Sequence, residues 1–138
     1  MSELTCYYEE PEAVEYLSLR QEVKMGSRSL SGAQKGLGNA LFSVVFRDEQ
    51  QQLIAMGRVI GDDGLAYMVT DVVVKPDYQG QGLAKGIMAE IMRYLEREAA
   101  PEAYICLIAD VPANQLYEQF GFKETAPSSV AMFIKNKA

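Results

Sequence analysis

The sequence predicts an α+β fold in three layers: a mixed, mostly antiparallel sheet of roughly six to seven strands with helices on both faces. Three observations predict it. The apolar pattern runs strand, helix, short helix or loop, three strands, helix, strand, helix, strand, strand. An Asp-Gly turn in Gly61-Asp62-Asp63-Gly64 supplies the backbone freedom a hairpin needs and joins two of the central strands. A long amphipathic segment follows the last of these strands and allows a parallel crossover to the next.

In chain order, Leu4 to Tyr8 is a short β-prone opening. Glu9-Glu10-Pro11-Glu12 marks a helix start, with an early proline and acids in the first turn. Ala13, Tyr16, Leu17, Arg20 and Val23 recur at helical spacing, which puts Arg20 on or beside the inward stripe. There it either binds a substrate anion or lays its stem on the core with its head in water. Lys24 to Asn39 is rich in Gly and Ser with room for one short helix near Leu30–Lys35, and reads as a substrate lid or a plain connection. Ala40–Phe46 and Leu53–Ile60 are strands across a polar turn. Strict alternation in the second puts Arg58 on one face with Ile54, Met56 and Ile60, reaching a cleft or pairing with Asp71. Asp62 and Asp63 are explained by turn chemistry, without a metal.

Leu65–Val74 is the next strand, and its β-branched run ends at Pro76. After Gly80 and Gly82, Leu83, Ile87, Ile91 and Leu95 form one apolar row with Ala84, Met88 and Met92 beside it, while Lys85, Glu90, Arg93 and Arg97 face out. Pro101 disfavours continuation past Ala100. Ala103–Ala109 reads as a buried strand. Pro112 opens a helix carrying Ala113, Leu116, Tyr117 and Phe120, and Gly121 stops it. Phe122–Thr125 and Val130–Ile134 close the chain as strands.

The 138 residues suit a single domain, 1–138, with one core. A formal net charge of −6 argues against a nucleic-acid partner. No apolar run reaches the ~20 residues of a membrane span, and the opening M-S-E-L-T-C has no basic or apolar leader, so a cytoplasmic location is expected. Cys6 and Cys106 make no disulfide framework and read as reduced thiols. There is no histidine, which removes Ser-His-Asp and Cys-His nucleophile systems and histidine-built zinc sites. No metal is expected, and proton transfer falls to Asp, Glu, Tyr, Lys, Cys or water. An isologous homodimer is the expected assembly on general grounds.

A strand, a glycine turn and a helix together point unpaired backbone N–H groups at one spot, a site for an anion such as a phosphate. The P-loop pattern G-x-x-x-x-G-K-[ST] is absent, and Gly80, Gly82 and Gly86 miss the dinucleotide spacing by one residue. Instead, Val74-x-Pro76-x-x-Gln79-Gly80-Gln81-Gly82-Leu83-Ala84 resembles the acyl-CoA motif [RQ]-x-x-G-x-[GA] of the GNAT superfamily of N-acetyltransferases. The later Ala113-x-x-Leu116-Tyr117-Glu118-x-x-Gly121-Phe122 resembles that family's helix ending in L-Y-E-x-x-G-F. The order of elements agrees with the family's over nearly the whole chain.

The resemblance implies a GNAT-like fold and acetyl-CoA as cosubstrate, with transfer to the primary amine of a small molecule by direct attack in a ternary complex. The pyrophosphate suits the backbone N–H groups of Gly80, Gly82, Ala84 and Lys85, within a loop that also includes Gln79, Gln81 and Leu83. Pantetheine is expected along Val72, Val73 and Val74, where a backbone N–H meets the thioester carbonyl. Tyr117 is the family's counterpart of the acid that protonates the departing thiolate, and a phenol of ordinary pKa ~10 is protonated at neutral pH.

Asp71 interrupts an apolar strand, and burial strengthens a carboxylate as proton acceptor, so it is the candidate base. The alternatives are a structural pair with Arg58, or a water chain. Where the family often carries Asn against the pantetheine arm, this chain has Asp110, which accepts but does not donate when ionised. Arg20 and Arg58 are the candidate substrate-binding residues, for an acceptor with an anionic group. The rival reading is a non-catalytic acyl-CoA-binding or regulatory module on the same fold.

Overall fold

The computed structural model describes residues 3–137. They fall into two compact units, one ending at Leu107 and the other beginning at Ile108. In the first unit, β1 (Thr5–Tyr7), β2 (Phe42–Arg47), β3 (Leu53–Gly61), β4 (Ala66–Val74) and β5 (Tyr104–Cys106) lie in that order in one sheet. The first three junctions are antiparallel and the β4–β5 junction is parallel.

Consecutive residues of a strand point to opposite faces, so β3 shows which helix covers which side. Met56 joins a buried cluster with Tyr16 and Leu19 of α1 (Ala13–Glu22) and Ala33 of α2 (Leu30–Gly36). Gly57 faces Ile87 and Ile91 of α3 (Leu83–Glu98). Helices therefore cover both faces, as the pattern predicts. The apolar row of α3 is buried as expected at Ile87, Ile91 and Leu95, and Tyr94 joins it, stacked on Phe42 with ring centroids 4.7 Å apart. Each such side chain contributes about 1.5–3 kcal/mol by leaving water, which is why this helix forms so clearly.

At its N-terminus α1 is held by Glu15, which accepts from the Glu12 backbone N–H at 2.9 Å. The same carboxylate takes two bonds from the buried Arg47 of β2, at 2.7 and 2.8 Å. This pair fixes the first turn of the helix to the sheet.

Three expectations differ from the structure. The sheet has five strands, not six or seven, because Phe122–Thr125 and Val130–Ile134 form no ladder among the described residues. An apolar run suits a strand, but a strand needs a neighbour to take its backbone bonds. The buried strand Ala103–Ala109 shortens to Tyr104–Cys106, and Tyr104 is exposed, because only Ala66, Tyr67 and Met68 of β4 pair with it. Finally, Leu53 rather than Ile54 shares the Met56 cluster. The β2–β3 register shifts between Phe46 and Arg47, and the extra residue reverses the alternation there.

The second unit contains α4 (Asn114–Glu118), which starts two residues after Pro112. Gly121 ends the turn as predicted: its φ is +94°, its N–H donates to Glu118 O at 3.1 Å, and Phe122 N–H donates to Tyr117 O at 3.3 Å.

Candidate active site

The interior of β4 carries a defect. Met56 is opposite Val73 while Arg58 is opposite Thr70, so β4 spends one residue more than β3 over this stretch. Asp71 sits in that bulge with a φ of +54°, a left-handed conformation costly for any residue but glycine. Beyond Met68, β4 leaves β5, and no strand among the described residues pairs with its outer edge through Val72, Val73 and Val74. An exposed edge of this kind accepts an added strand-like partner.

That edge leads into the glycine loop. Pro76–Tyr78 makes one tight turn, and Gln79 Nε2 donates back to Val74 O at 3.0 Å, tying the loop to the end of β4. Gly80 and Gly82 have φ of +80° and +84°, and a Cβ on either would meet nothing within 4 Å. Glycine is required here by conformation, and the space above the loop is open. The first helical bond of α3 runs from Gly86 N–H to Gly82 O at 3.0 Å, and no side chain caps the end. The N–H groups of Leu83, Ala84 and Lys85 thus have no acceptor among the described residues, and the exposed Lys85 adds a charge beside them. Free donors, a positive helix end and an ammonium group fit the pyrophosphate of a coenzyme A. Gln81 lies exposed between the two glycines.

On the α1–α2 face of the sheet the structure brings Arg20, Arg58 and Asp71 together. Asp71 is 8% exposed, and its two oxygens accept from three donors. Arg20 Nη1 donates to Oδ1 at 2.6 Å and Arg58 Nη1 to Oδ2 at 3.1 Å, while Tyr16 Oη is 3.1 Å from each oxygen. Burial and then the Asp71 charge push the Tyr16 phenol above its ordinary 10, which keeps it a donor. Arg58 Nε also donates to Glu10 at 2.9 Å. Two cations therefore meet two carboxylates, and the cluster balances its own charge. Sequence reasoning did not assign Tyr16 or Glu10 to it. Tyr16 was legible one helical turn before Arg20, but nothing in the sequence points Glu10 at Arg58.

In the second unit, Tyr117 is half-buried, with its ring edge-on to Phe122 at a centroid distance of 6.4 Å. Burial, followed by the charge of Asp110, pushes its phenol above the ordinary 10. Asp110 is exposed, and its carbonyl takes the Ala113 N–H at 2.6 Å. Among the described residues no group of three or more Cys, Asp or Glu is placed to hold a metal ion. None of their helices is long and apolar enough to cross a membrane.

The GNAT acetyltransferase domain matches residues 38–124. A probable acetyltransferase of unknown function from meticillin-resistant Staphylococcus aureus superimposes with a TM-score of 0.93 and 41% identity, over 97% of this chain and 100% of that one. The histone acetyltransferase TAP1 of Glycine max is 34% identical over 62% of this chain and 36% of its own length. The chain thus spans about a third of the first curated relatives it matches. A GNAT family N-acetyltransferase from Escherichia coli, solved in complex with CoA, shares the fold at 22% identity, with a TM-score of 0.65 over 91% of this chain and 72% of that one.

Proposed function

We propose, from the premise that the chain belongs to the GNAT family of acetyltransferases, that it is an N-acetyltransferase using acetyl-CoA and the primary amine of a small molecule. The observation that carries this reading is the continuity of the unpaired β4 edge with the glycine loop and the bare N-terminus of α3. Acetyl-CoA, when bound, supplies an acetyl group on a thioester. Leu83, Ala84 and Lys85 hold its pyrophosphate through their N–H groups, and Val72 to Val74 align its pantetheine arm. A backbone N–H of that strand stabilises the charge that develops on the acyl oxygen. The amine attacks directly in a ternary complex, and Tyr117 gives its proton to the departing sulfur. Asp71 is already engaged by three donors, Arg20, Arg58 and Tyr16, so the amine's own proton passes to water.

Because Arg20 and Arg58 are engaged by Asp71 and Glu10, they lend no support to an anionic group on the acceptor. The name of the Glycine max relative, a histone acetyltransferase, brings a protein acceptor into consideration beside small amines. Cys6 and Cys106 are both free thiols, which fits a reducing compartment. The test is thiol release from acetyl-CoA over a panel of small primary amines and a lysine peptide, with the product weighed by mass spectrometry. Initial-rate lines that intersect are expected. Parallel lines would remove direct attack, and tight CoA binding without turnover on any amine would favour a non-catalytic module.

A further inference from the structure

The segment between α1 and β2 is exposed almost throughout. Within residues 26–36 only Ala33 is buried, yet the chain is gripped at both ends by the same pair of arginines. At the near end Arg20 Nη2 donates to Gly26 O at 2.6 Å, with Nη1 3.9 Å from Met25 Sδ. At the far end Arg58 Nη2 donates to Gly36 O at 3.5 Å. The remaining Nη of each arginine goes to Asp71, one to each oxygen. One carboxylate at the β4 bulge therefore sets the position of two guanidinium groups, and those two set both ends of the segment containing α2.

We infer that Asp71 is a positioning residue: through Arg20 and Arg58 it locks residues 26–36 in register with the bulge of β4, so that the acceptor side of the site is built on the cofactor strand. The chemistry favours this role over proton acceptance. A carboxylate with a guanidinium on each oxygen and a phenol across both is geometrically saturated, and planar guanidinium forks transmit direction as well as charge. The left-handed backbone of Asp71 has the same explanation. Without the extra residue, β4 would keep its ladder with β3 unbroken through this stretch, with no local displacement to aim a side chain between α1 and β3.

The link to acceptor binding rests on the acetyltransferase reading, whereas the clamp itself does not, and the experiment separates them. Amide hydrogen exchange is compared between the parent chain and Asp71→Asn, alongside the KM values for amine and acetyl-CoA. The expected result is exchange at least tenfold faster across residues 26–37 with α3 and β2 unchanged, and an amine KM raised about tenfold while the acetyl-CoA KM stays within twofold. Faster exchange throughout the unit would overturn the inference, as would a loss of kcat with both KM values unchanged, which marks a base. If Asp71→Asn does not fold, Arg58→Lys and Arg20→Lys decide. Each keeps a charge for Asp71 and loses its second reach, so loosening is expected only near Gly36 for the first and near Gly26 for the second. Identical patterns in the two would overturn the clamp. If the parent turns over no amine, the acetyltransferase reading fails and the exchange pattern still decides the clamp.

Discussion

Gly57 of β3 lies directly under Ile87 of α3: a methyl group on Gly57 would overlap Ile87 Cγ2 and come within 2.9 Å of Ile91 Cδ1. Both isoleucines are fully buried, and Ile87 Cγ2 branches close to the backbone, where it has little freedom to move aside. Gly57→Ala is therefore expected to destabilise the fold by about 1–3 kcal/mol through overpacking, despite the better backbone entropy of alanine. Thermal denaturation checks this, and adding Ile87→Leu, which removes the branch at Cβ that carries Cγ2, should recover part of the loss. An unchanged melting temperature would mean that α3 is free to lift from the sheet.

A second prediction concerns pH. The two bonds from Arg47 hold the Glu15 carboxyl below its ordinary 4.5, more than its burial raises it. A carboxyl depressed in the folded state stabilises fully above its unfolded pKa, and that contribution fades as pH falls through the folded one. Glu15→Gln should thus lose about 1–2 kcal/mol at pH 7 and show a flatter loss of stability on acidification below about 4.5 than the parent. Melting temperatures from pH 7 to pH 3 decide it, and parallel curves for the two proteins would show that the pair does not carry the acid dependence.

How much of this was legible in the sequence depends on whether the signal is local. The row Ile87, Ile91, Leu95 and the glycines 80 and 82 declare themselves, because helical period and backbone freedom are properties of a few neighbouring residues. The Asp62 turn is equally local: one carboxylate oxygen takes the N–H groups of Gly64, Leu65 and Ala66. Asp71 is different. The string Val69-Thr70-Asp71-Val72 shows a polar residue in an apolar strand, but not the bulge, which is a mismatch between two strands. The partners Tyr16 and Glu10 come from segments 55 and, for Arg58 with Glu10, 48 residues away. The C-terminal segments fail for a related reason. The apolar run Val130-Ala131-Met132-Phe133-Ile134 is visible in the sequence, whereas the partner that would make it a strand is not.

The glycine loop gives a third prediction. Moving a non-glycine residue into the left-handed region costs ~1–2 kcal/mol, and at Gly82, with φ +84°, the cost opposes the backbone that bares the N–H groups of Leu83 to Lys85. Since ~1.4 kcal/mol is a tenfold change in affinity, Gly82→Ala should raise the acetyl-CoA KM about tenfold and leave the amine KM unchanged. The open space above the residue excludes steric clash with the protein as a competing cause. An unaltered acetyl-CoA KM in the folded variant would move the pyrophosphate away from this loop.

Tyr117 gives the fourth. Tyr117→Phe keeps the ring that packs edge-on against Phe122 and removes only the hydroxyl, so α4 should survive the change. If the phenol protonates the leaving sulfur, kcat should fall about 10²–10⁴-fold while both KM values stay within twofold. Burial and Asp110 raise its pKa above 10, so the proton stays on the oxygen throughout the neutral and mildly alkaline range. For the same reason, any stability linked to this group is fully present below pH 10 and is lost only as pH rises through the folded value. The kcat profile of the parent should therefore show no descending limb below pH 10, and its rising limb should follow the ionisation of the acceptor amine. An alkaline decline near pH 8 that persists in Tyr117→Phe would belong to another group. Equal turnover in variant and parent would take Tyr117 out of the mechanism and leave the thiolate to depart unassisted.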